Sequence, residues 1–377
     1  MTMILSVAII ATLLTSAFIV LKGRNIICKG EMPSSLFTFI AILFTSGLDV
    51  GLIMFPLSEF PTYSTEAAYQ FTNPLAIEFG FWGGLVWGFY FLTTFYFCVI
   101  EPKVKLFEIP AVKVVNNIVV VATCAFTGFL FLSYLPTYVE GISDPARFGL
   151  VAAVVMLAIM SSTDIRYIAV LSVASTWLFL LLIAGVMFGA EGLGLPELAS
   201  TMSNIGGYFT NLDRFVLPIS DYHEFYLFWW FSWSIMIGQF VARFVGGLKT
   251  WQLCLALLTI PSIPLALWFS VLYYYHSNAL EVAEMMKLAM VTVGTIFVIN
   301  SLDSLVRLYT SNMNITVERF GKAKYIMGNF VVMYGLVLLY QFTPFAIEWV
   351  GLLVIGLYAV IYMLLLKRQG ELRLQPI

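Results

Sequence analysis

The apolar segment 228–244, which reads FWWFSWSIMIGQFVARF, contains Trp229, Trp230 and Trp233. Tryptophan normally collects at the two membrane surfaces, so tryptophans in the middle of a span need another reason. Trp230 and Trp233 are three residues apart and share one helix face, whereas Trp229 points elsewhere. Such a face offers aromatic rings that attract a cation. The alternative is that these rings only pack helices together.

A second residue that could do chemistry is Asp49, a carboxylate deep in the otherwise apolar stretch 35–57. An ionisable group inside a membrane span is costly and is a functional candidate by default. Three roles fit it, namely ion ligand, proton carrier or counter-charge for a cationic substrate. The structural alternative is that Asp49 pairs with a buried donor. A bare aspartate near the tryptophans would favour a net-cationic solute, because it would repel a solute that carries its own carboxylate.

Composition sets the class of protein that holds these residues. Of the 377 residues, 61% are hydrophobic and 11% are charged, and the mean hydropathy is +0.94. A soluble domain could not bury so much apolar surface, so we predict an all-α integral membrane protein surrounded by lipid. The net charge of −2 predicts no nucleic-acid partner. Scattered cysteines, and the lack of a catalytic triad or phosphate-loop motif, predict neither an organic cofactor nor an enzyme.

A window of about 19 residues finds eleven candidate membrane helices. They lie near 3–21, 35–57, 76–100, 112–136, 146–162, 166–189, 224–246, 251–275, 282–306, 324–341 and 344–366. Short loops rich in lysine and arginine stay on the cytoplasmic side, and all but three of the 19 Lys and Arg residues fall on one side of this arrangement. The bias predicts a multi-pass protein of the inner (plasma) membrane, with its N-terminus outside and its C-terminus in the cytoplasm.

The spans divide into one extra helix and two sets of five. The predicted boundaries are 1–33 for the extra N-terminal helix and its cytoplasmic loop, 34–190 for the first set, 191–223 for an extracytoplasmic loop, 224–366 for the second set and 367–377 for a cytoplasmic tail. Because five is odd, the second set is inserted in the opposite sense, as in inverted-repeat transporters. In such folds the first helix of each repeat is broken near mid-bilayer. Both helices contain interruptions, at 46–51 with Pro56 and at 232–234 with Gly238.

Four motifs in these spans are similar to those of the betaine/choline/carnitine transporter family. Residues 228–244 resemble its signature, a WW-x-S-W run followed by G-x-F-x-A-R, and residues 46–60 resemble its glycine-rich broken helix, which ends in an acidic residue. Trp82, Trp87 and Tyr90 have the W-x4-W-x2-Y spacing of its aromatic box. Residues 299–304, INSLDS, stand where the family has T-S-A-D-S. The motifs cover about residues 35 to 310, and the chain resembles a short member because the family usually has twelve spans.

The resemblance implies a leucine-transporter-like core of five-plus-five inverted repeats and secondary active transport by alternating access. The implied solute is a quaternary-ammonium or related zwitterionic or cationic compound, with choline favoured and betaine or carnitine-like solutes next. Its ammonium group would lie in an aromatic cage formed by Trp82, Trp87, Tyr90 and Trp230. Trp233 would lie along the solute's path. A transport-fold sensor, or a subunit of a membrane complex without transport of its own, is the alternative function.

The coupling ion implied by the resemblance is sodium or a proton. In sodium-dependent members, the ion lies between backbone carbonyls of the broken helix and side chains of the ninth span, which maps here to Thr45, Leu48, Phe297, Asn300 and Ser301. Oxygen atoms of Thr45, Leu48, Asn300 and Ser301 would suit a hard cation. Asp49 is the competing candidate, as a proton carrier. The resemblance also implies a homotrimer and gating or structural roles for Glu59, Arg243 and Asp303.

Overall fold

The computed structural model describes residues 1–48, 50–164 and 166–368, and the described chain is helical apart from two short strands and the connecting turns. Asp49 lies outside the described residues. The helices of the first half are α1 Thr2–Gly23, α2 Leu36–Gly47, α3 Val50–Met54, α4 Pro56–Thr65, α5 Pro74–Trp82, α6 Trp87–Phe95, α7 Glu101–Val104, α8 Pro110–Tyr138, α9 Asp144–Ser161 and α10 Tyr167–Gly189. Those of the second half are α11 Leu195–Ser203, α12 Gly206–Thr210, α13 Asp221–Val241, α14 Thr250–Thr259, α15 Ser262–Ser277, α16 Glu284–Asn312, α17 Val317–Phe320, α18 Lys322–Phe342 and α19 Ile347–Lys367.

Shorter elements complete the connections. The strands are β1 Ile27–Lys29 and β2 Gly246–Lys249, which pair antiparallel and join the segment after α1 to the segment after α13. Single 3-10 turns lie at Ala67–Tyr69, Gly84–Val86, Leu106–Glu108, Arg214–Val216 and Ala242–Phe244, and a π-helical turn lies at Tyr96–Ile100. In the core of the bundle, α16 packs against α2, α3, α8, α9 and α10. This contact places the ninth predicted span beside the interrupted second one.

Ten helical segments of the described chain are long and apolar enough to cross a membrane. They coincide with ten of the eleven predicted spans. The remaining span, predicted at 35–57, is divided among α2, α3 and α4, so the count of eleven full-length helices is not reproduced. Large apolar side chains face outward from the bundle, as Phe188 on α10 does with 83% of its surface exposed. Such apolar surface suits a lipid environment.

The break in the second span falls where the glycine-rich motif predicts it. Ser35 begins α2 by accepting a hydrogen bond from the Thr38 backbone N–H at 3.2 Å, which satisfies one of the free donors of the first turn. The helix ends at Gly47, and Leu48 is extended, with φ −130° and ψ 152°. Helical structure resumes in α3, and α4 then begins at Pro56, whose missing N–H costs nothing in a first turn. The interruption leaves backbone carbonyls near the middle of the span free to bind other groups.

The break predicted for the seventh span is wrong, because α13 runs without interruption from Asp221 to Val241. The hydroxyls of the two serines at the expected break donate hydrogen bonds to carbonyls of their own helix. Ser232 Oγ donates to the Trp229 carbonyl at 2.7 Å, and Ser234 Oγ donates to the Phe231 carbonyl at 2.8 Å. These i−3 bonds compete only weakly with the helical ladder, so the helix continues.

An unpredicted kink lies in the third span, between α5 and α6. Gly84 has a φ of +60°, a left-handed conformation that glycine adopts without steric cost. A side chain at this position would also overlap the hydroxyl of Tyr208. Because the kink separates Trp82, the last residue of α5, from Trp87, the first residue of α6, the two tryptophans do not occupy one regular helix face.

Close packing of α13 on α6 depends on Gly238, and we expect Gly238→Ala to lower the thermal unfolding temperature of the purified protein. A Cβ there would overlap Thr93 Oγ1 and lie 2.9 Å from the Thr93 carbonyl carbon, so backbone would have to move. Overpacking of this kind costs about 1–3 kcal/mol. The matched control is Gly335→Ala on α18, where a Cβ meets nothing within 4 Å. Equal unfolding temperatures for the two variants would contradict this account of Gly238.

Candidate substrate and ion sites

The four residues of the predicted aromatic cage meet in the core of the bundle. The Trp82 and Trp230 ring centroids are 5.4 Å apart with an interplanar angle of 87°, and those of Tyr90 and Trp230 are 6.0 Å apart at 77°. The Trp87 and Tyr90 centroids are 5.1 Å apart at 73°. All four side chains are buried. The rings therefore form a continuous edge-to-face chain, the preferred geometry for aromatic pairs, contributed by α5, α6 and α13.

Backbone carbonyls fix the orientation of three of these rings. Trp230 Nε1 donates to the Phe81 carbonyl at 2.8 Å, and Trp87 Nε1 donates to the Trp82 carbonyl at 3.1 Å. The Tyr90 hydroxyl donates to the Gly47 carbonyl at 3.1 Å, which attaches the aromatic cage to the end of α2. The polar edges of these three rings are therefore satisfied by backbone carbonyls, and a solute would meet their apolar ring surfaces.

The glycines of the broken helix lie directly against the aromatic cage. A Cβ at Gly51 would come within 2.7 Å of Trp82 Cη2, whereas a Cβ at Gly47 would lie 3.6 Å from Tyr90 Cε2. Gly51 therefore permits a close approach that any larger residue would block, and Gly47 has ordinary clearance. The family-like glycine motif thus has a local physical role in bringing the backbone to the rings.

The remaining tryptophans of the 228–244 segment lie at different places. The Trp229 ring stacks on that of Trp230, with centroids 5.7 Å apart and an interplanar angle of 10°, and meets Trp82 edge to face at 5.4 Å. Trp229 thus contacts two rings of the aromatic cage, although its position on the helix predicted that it points elsewhere. The Trp233 ring lies 6.4 Å from that of Trp229, and its indole N–H is buried without a hydrogen-bond partner among the described residues.

Three of the predicted ion-coupling residues meet at the break in the second span. Ser301 Oγ lies 2.9 Å from the Leu48 carbonyl oxygen and 3.2 Å from the Thr45 carbonyl oxygen, and its hydroxyl can donate to one at a time. The Thr45 hydroxyl itself donates to the Ala41 carbonyl of its own helix at 2.8 Å. Two backbone carbonyls and one hydroxyl therefore converge, and oxygen ligands of this kind suit a hard cation.

The other two predicted ion-coupling residues are engaged elsewhere. Asn300 Nδ2 donates to Ser175 Oγ on α10 at 2.7 Å, so the amide group is directed to that helix. Phe297 packs edge to face on Phe44, with centroids 6.0 Å apart. Next to Ser301, Ser304 Oγ shares a hydrogen bond of 2.8 Å with Ser46 Oγ. The serines of the INSLDS motif thus bind α2, whereas its asparagine binds α10.

Glu59 and Arg243 lie at opposite ends of α13. Glu59 accepts hydrogen bonds from the hydroxyls of Tyr63 at 2.7 Å and Tyr226 at 2.9 Å, and also from Tyr222. Arg243 follows the other end of the helix and lines a cavity of about 520 Å³, whose rim includes Lys29, Glu31, Lys105, Glu108 and Lys113. A cluster of buried hydrogen bonds thus lies at one end of α13, and a cavity lined by charged side chains lies at the other.

Asp303 has a structural partner that its motif did not indicate. Its carboxylate accepts hydrogen bonds from Arg307 Nη2 at 2.9 Å and Arg307 Nε at 3.0 Å, and both side chains are buried. Arg307 Nη2 also donates to the carbonyl of Ser161, the last residue of α9, at 2.6 Å. The pair therefore ties α16 to the end of α9 and does not reach the aromatic cage.

Sequence reasoning did not identify Glu78, which is fully buried on α5 four residues before Trp82. It also did not identify Tyr226, whose ring meets Trp82 at 5.5 Å while its hydroxyl binds Glu59. The signal for Glu78 was present, because it is a carboxylate within the predicted span 76–100. No comparable signal marks Tyr226, since tyrosines near the end of a span are common.

Comparison with known proteins shows that part of the chain is similar to one transporter family. The sequence profile of the betaine/carnitine/choline family transporters matches residues 108–275. The chain is 24% identical to the glycine betaine transporter OpuD of Bacillus subtilis over 64% of this chain and 56% of that protein. It is 26% identical to the high-affinity choline transport protein of Escherichia coli over 63% of this chain and 41% of that protein. The chain spans about half the length of the curated relatives it matches.

A solved structure of a Na⁺-coupled sialic acid symporter, in a substrate-bound outward-open state, is similar to the whole fold. The match covers 94% of this chain and 84% of that one, with a TM-score of 0.51 and 13% sequence identity, so it shows the fold alone. Together the matches confirm the family resemblance indicated by the motifs and the predicted class, an all-α membrane protein with a leucine-transporter-like core. The matched family consists of transporters, in agreement with the prediction that the chain is not an enzyme.

Proposed function

We propose that this relative of the betaine/carnitine/choline transporters is a secondary active transporter of a quaternary-ammonium solute, with choline favoured and betaine or carnitine-like solutes next. The observation that carries the proposal is the buried edge-to-face chain of Trp82, Trp230, Tyr90 and Trp87 beside a broken helix. A trimethylammonium group has no N–H to donate, so ring faces rather than hydrogen-bond acceptors must hold it. Each well-placed desolvated ring contributes roughly 2 kcal/mol.

The rings of the aromatic cage are in contact with one another. A solute can therefore enter among them only if at least one pair of rings moves apart. The α13 helix carries Trp230 between the closed Glu59 cluster and the polar cavity at Arg243. We infer that the Glu59 end faces outside and that the Arg243 end faces the cytoplasm, because lysines concentrate at the Arg243 end. Alternating access would then exchange which of the two ends is open.

Sodium is the coupling ion that the geometry favours, bound by the carbonyls of Thr45 and Leu48 and by the hydroxyl of Ser301. These oxygens already converge in the described structure. Asn300 is a weaker candidate than the sequence predicts, because its amide binds Ser175. Proton coupling through Asp49 remains the alternative prediction, and a homotrimer stays a prediction as well.

The direct test is uptake of radiolabelled choline and betaine into proteoliposomes, with sodium and pH gradients imposed separately. Uptake driven by the sodium gradient would support the proposal, and uptake driven only by the pH gradient would replace sodium by a proton. Binding of solute without flux under either gradient would contradict transport and favour the sensor or subunit alternative.

We expect Ser301→Ala to weaken activation of uptake by sodium by about tenfold or more. The substitution removes one of three converging oxygens, and a hydrogen-bonding group that faces a charge is worth about 1.5–3 kcal/mol. The measurement is the sodium concentration that gives half-maximal uptake.

The matched control for this prediction is Ser304→Ala. Ser304 is in the same motif, but its hydroxyl binds the Ser46 side chain and not the carbonyls of the break. Sodium activation that changes equally in both variants would contradict the sodium site.

A further inference from the structure

Two carboxyl groups are buried together at the edge of the aromatic cage. Glu59 on α4 is 5% exposed and Glu78 on α5 is 0% exposed. The two helices pack against each other, which brings the two carboxyl groups near enough to affect each other's charge. Glu78 lies one helical turn before Trp82, and Glu59 binds Tyr226, whose ring touches Trp82. The pair is therefore a direct neighbour of the candidate solute site, although none of the predicted functions uses Glu78.

No positive side chain compensates this pair within residues 1–48, 50–164 and 166–368. None of the five salt bridges described there includes Glu59 or Glu78. The titratable groups that face the pair are tyrosines from four elements: Tyr63, Tyr69, Tyr138, Tyr222 and Tyr226. His223 accepts a hydrogen bond from the Ile219 backbone N–H, and His276 binds Ser64, so both imidazoles are engaged elsewhere.

The two carboxyl groups differ in their hydrogen bonds. Glu59 accepts hydrogen bonds from the hydroxyls of Tyr63, Tyr222 and Tyr226. This is the environment of an ionised carboxylate, because an ionised carboxylate can only accept hydrogen bonds. Both oxygens of Glu78 are buried and receive no hydrogen bond from the described residues. The indole N–H of Trp82, which faces Glu78, is also buried without a partner. A fully buried carboxylate without a positive partner is costly, whereas a protonated carboxyl that donates its proton in a hydrogen bond to Glu59 is not.

Two adjacent buried carboxyl groups cannot both ionise at low cost, since like charges disfavour each other and burial disfavours both. We propose that Glu59 and Glu78 form a proton-binding site, in which Glu78 carries the proton and Glu59 the negative charge. The ligand is thus a proton, and the pair keeps one negative charge beside the aromatic cage.

The effect of this proton site on uptake rests on the proposed transport function. When Glu78 loses its proton, its O–H bond breaks and the electron pair of that bond stays on the carboxylate. The proton passes to water on the side to which the pathway opens. Two ionised carboxylates then repel each other across the contact of α4 with α5. Loss of the proton would therefore favour opening at the Glu59 end, and uptake would depend on the protonation of Glu78.

The test is infrared difference spectroscopy on the purified full chain, which detects the C=O stretch of a protonated carboxyl group. We expect wild-type protein near neutral pH to show such a band, and expect Glu78→Gln to remove it. Glu78→Asp should retain the band at a shifted frequency, which guards against a Glu78→Gln variant that fails to fold. The control Glu66→Gln alters an exposed glutamate that follows the C-terminal end of α4 and should leave the band unchanged. A wild-type protein without a protonated-carboxyl band, or a band that survives Glu78→Gln, would overturn the site.

A second measurement distinguishes failure of the proton site from failure of the transport proposal. In it, the binding of choline and of betaine is measured by tryptophan fluorescence. If the Glu78-dependent band is present but neither solute binds, the result would support the proton site and count against the transport proposal. Solute binding without that band would overturn the proton site alone. In proteoliposomes that take up choline, Glu78→Gln should flatten the pH dependence of the uptake rate, whereas Glu66→Gln should retain the wild-type profile. An unchanged pH profile in Glu78→Gln would contradict the coupling of this site to transport.

Discussion

Trp230→Ala is expected to abolish uptake of the quaternary-ammonium solute and to weaken its binding by roughly 30-fold or more. Trp230 is the central ring of the aromatic cage, in contact with both Trp82 and Tyr90. Its loss removes one ring face, worth roughly 2 kcal/mol for a desolvated cation, and also leaves the Phe81 carbonyl without its donor. The measurements are initial uptake rates in proteoliposomes and choline affinity by equilibrium binding.

Two further variants separate this effect from general damage. Trp230→Phe keeps a ring face but loses the hydrogen bond to Phe81, so we expect binding between that of wild type and Trp230→Ala. Trp349→Ala on α19 removes a tryptophan that is 61% exposed, and it should bind and transport like wild type. Full uptake by Trp230→Ala, in protein that reaches the membrane, would exclude the aromatic cage as the solute site.

The positions of the membrane helices were largely predictable from the sequence, and the four rings of the predicted cage meet in the structure. Long apolar runs and short polar loops indicate membrane helices directly, and the break after Gly47 follows from a glycine-rich run within one of them. The same reasoning was wrong for α13, because a glycine in a span indicates either a break or close packing. Only the position of Thr93 on the neighbouring α6 shows that Gly238 serves packing.

The details of the ion site were less predictable. Whether Asn300 faces the break or α10 depends on which helix packs against that side of α16, and Ser175 supplies the partner only in the folded protein. The pairing of Glu59 with Glu78 likewise depends on the approach of α4 to α5. A sequence indicates that a carboxyl group is buried but not which groups it faces.

The break in the second span brings the two candidate sites within one peptide unit of each other. The Gly47 carbonyl accepts the Tyr90 hydroxyl of the aromatic cage, and the next carbonyl, that of Leu48, accepts the Ser301 hydroxyl of the ion site. A cation that orders the Leu48 carbonyl therefore also orders the backbone that holds a ring of the cage. This shared segment gives a physical route by which ion binding would change the affinity for solute.

Arg307→Ala is expected to destabilise the protein by about 3–5 kcal/mol and to lower its thermal unfolding temperature strongly. The variant leaves the Asp303 carboxylate buried without its cation and removes the hydrogen bond to the Ser161 carbonyl. Thermal unfolding of the detergent-purified protein measures the effect. Removing both charges in Asp303→Ala/Arg307→Ala should restore part of the lost stability, because most of the cost lies in an uncompensated buried charge.

The exposed pair of Arg166 with Asp164 provides the control for Arg307, because it has the same chemistry in a turn at the surface. Arg166→Ala should leave the unfolding temperature close to that of wild type, since solvent screens and replaces the lost contact. An unfolding temperature for Arg307→Ala equal to that of Arg166→Ala would show that the bond between α16 and α9 does not stabilise the bundle. An Arg307→Ala variant that is destabilised but is not improved by Asp303→Ala would locate the cost in the lost Ser161 contact rather than in the buried charge.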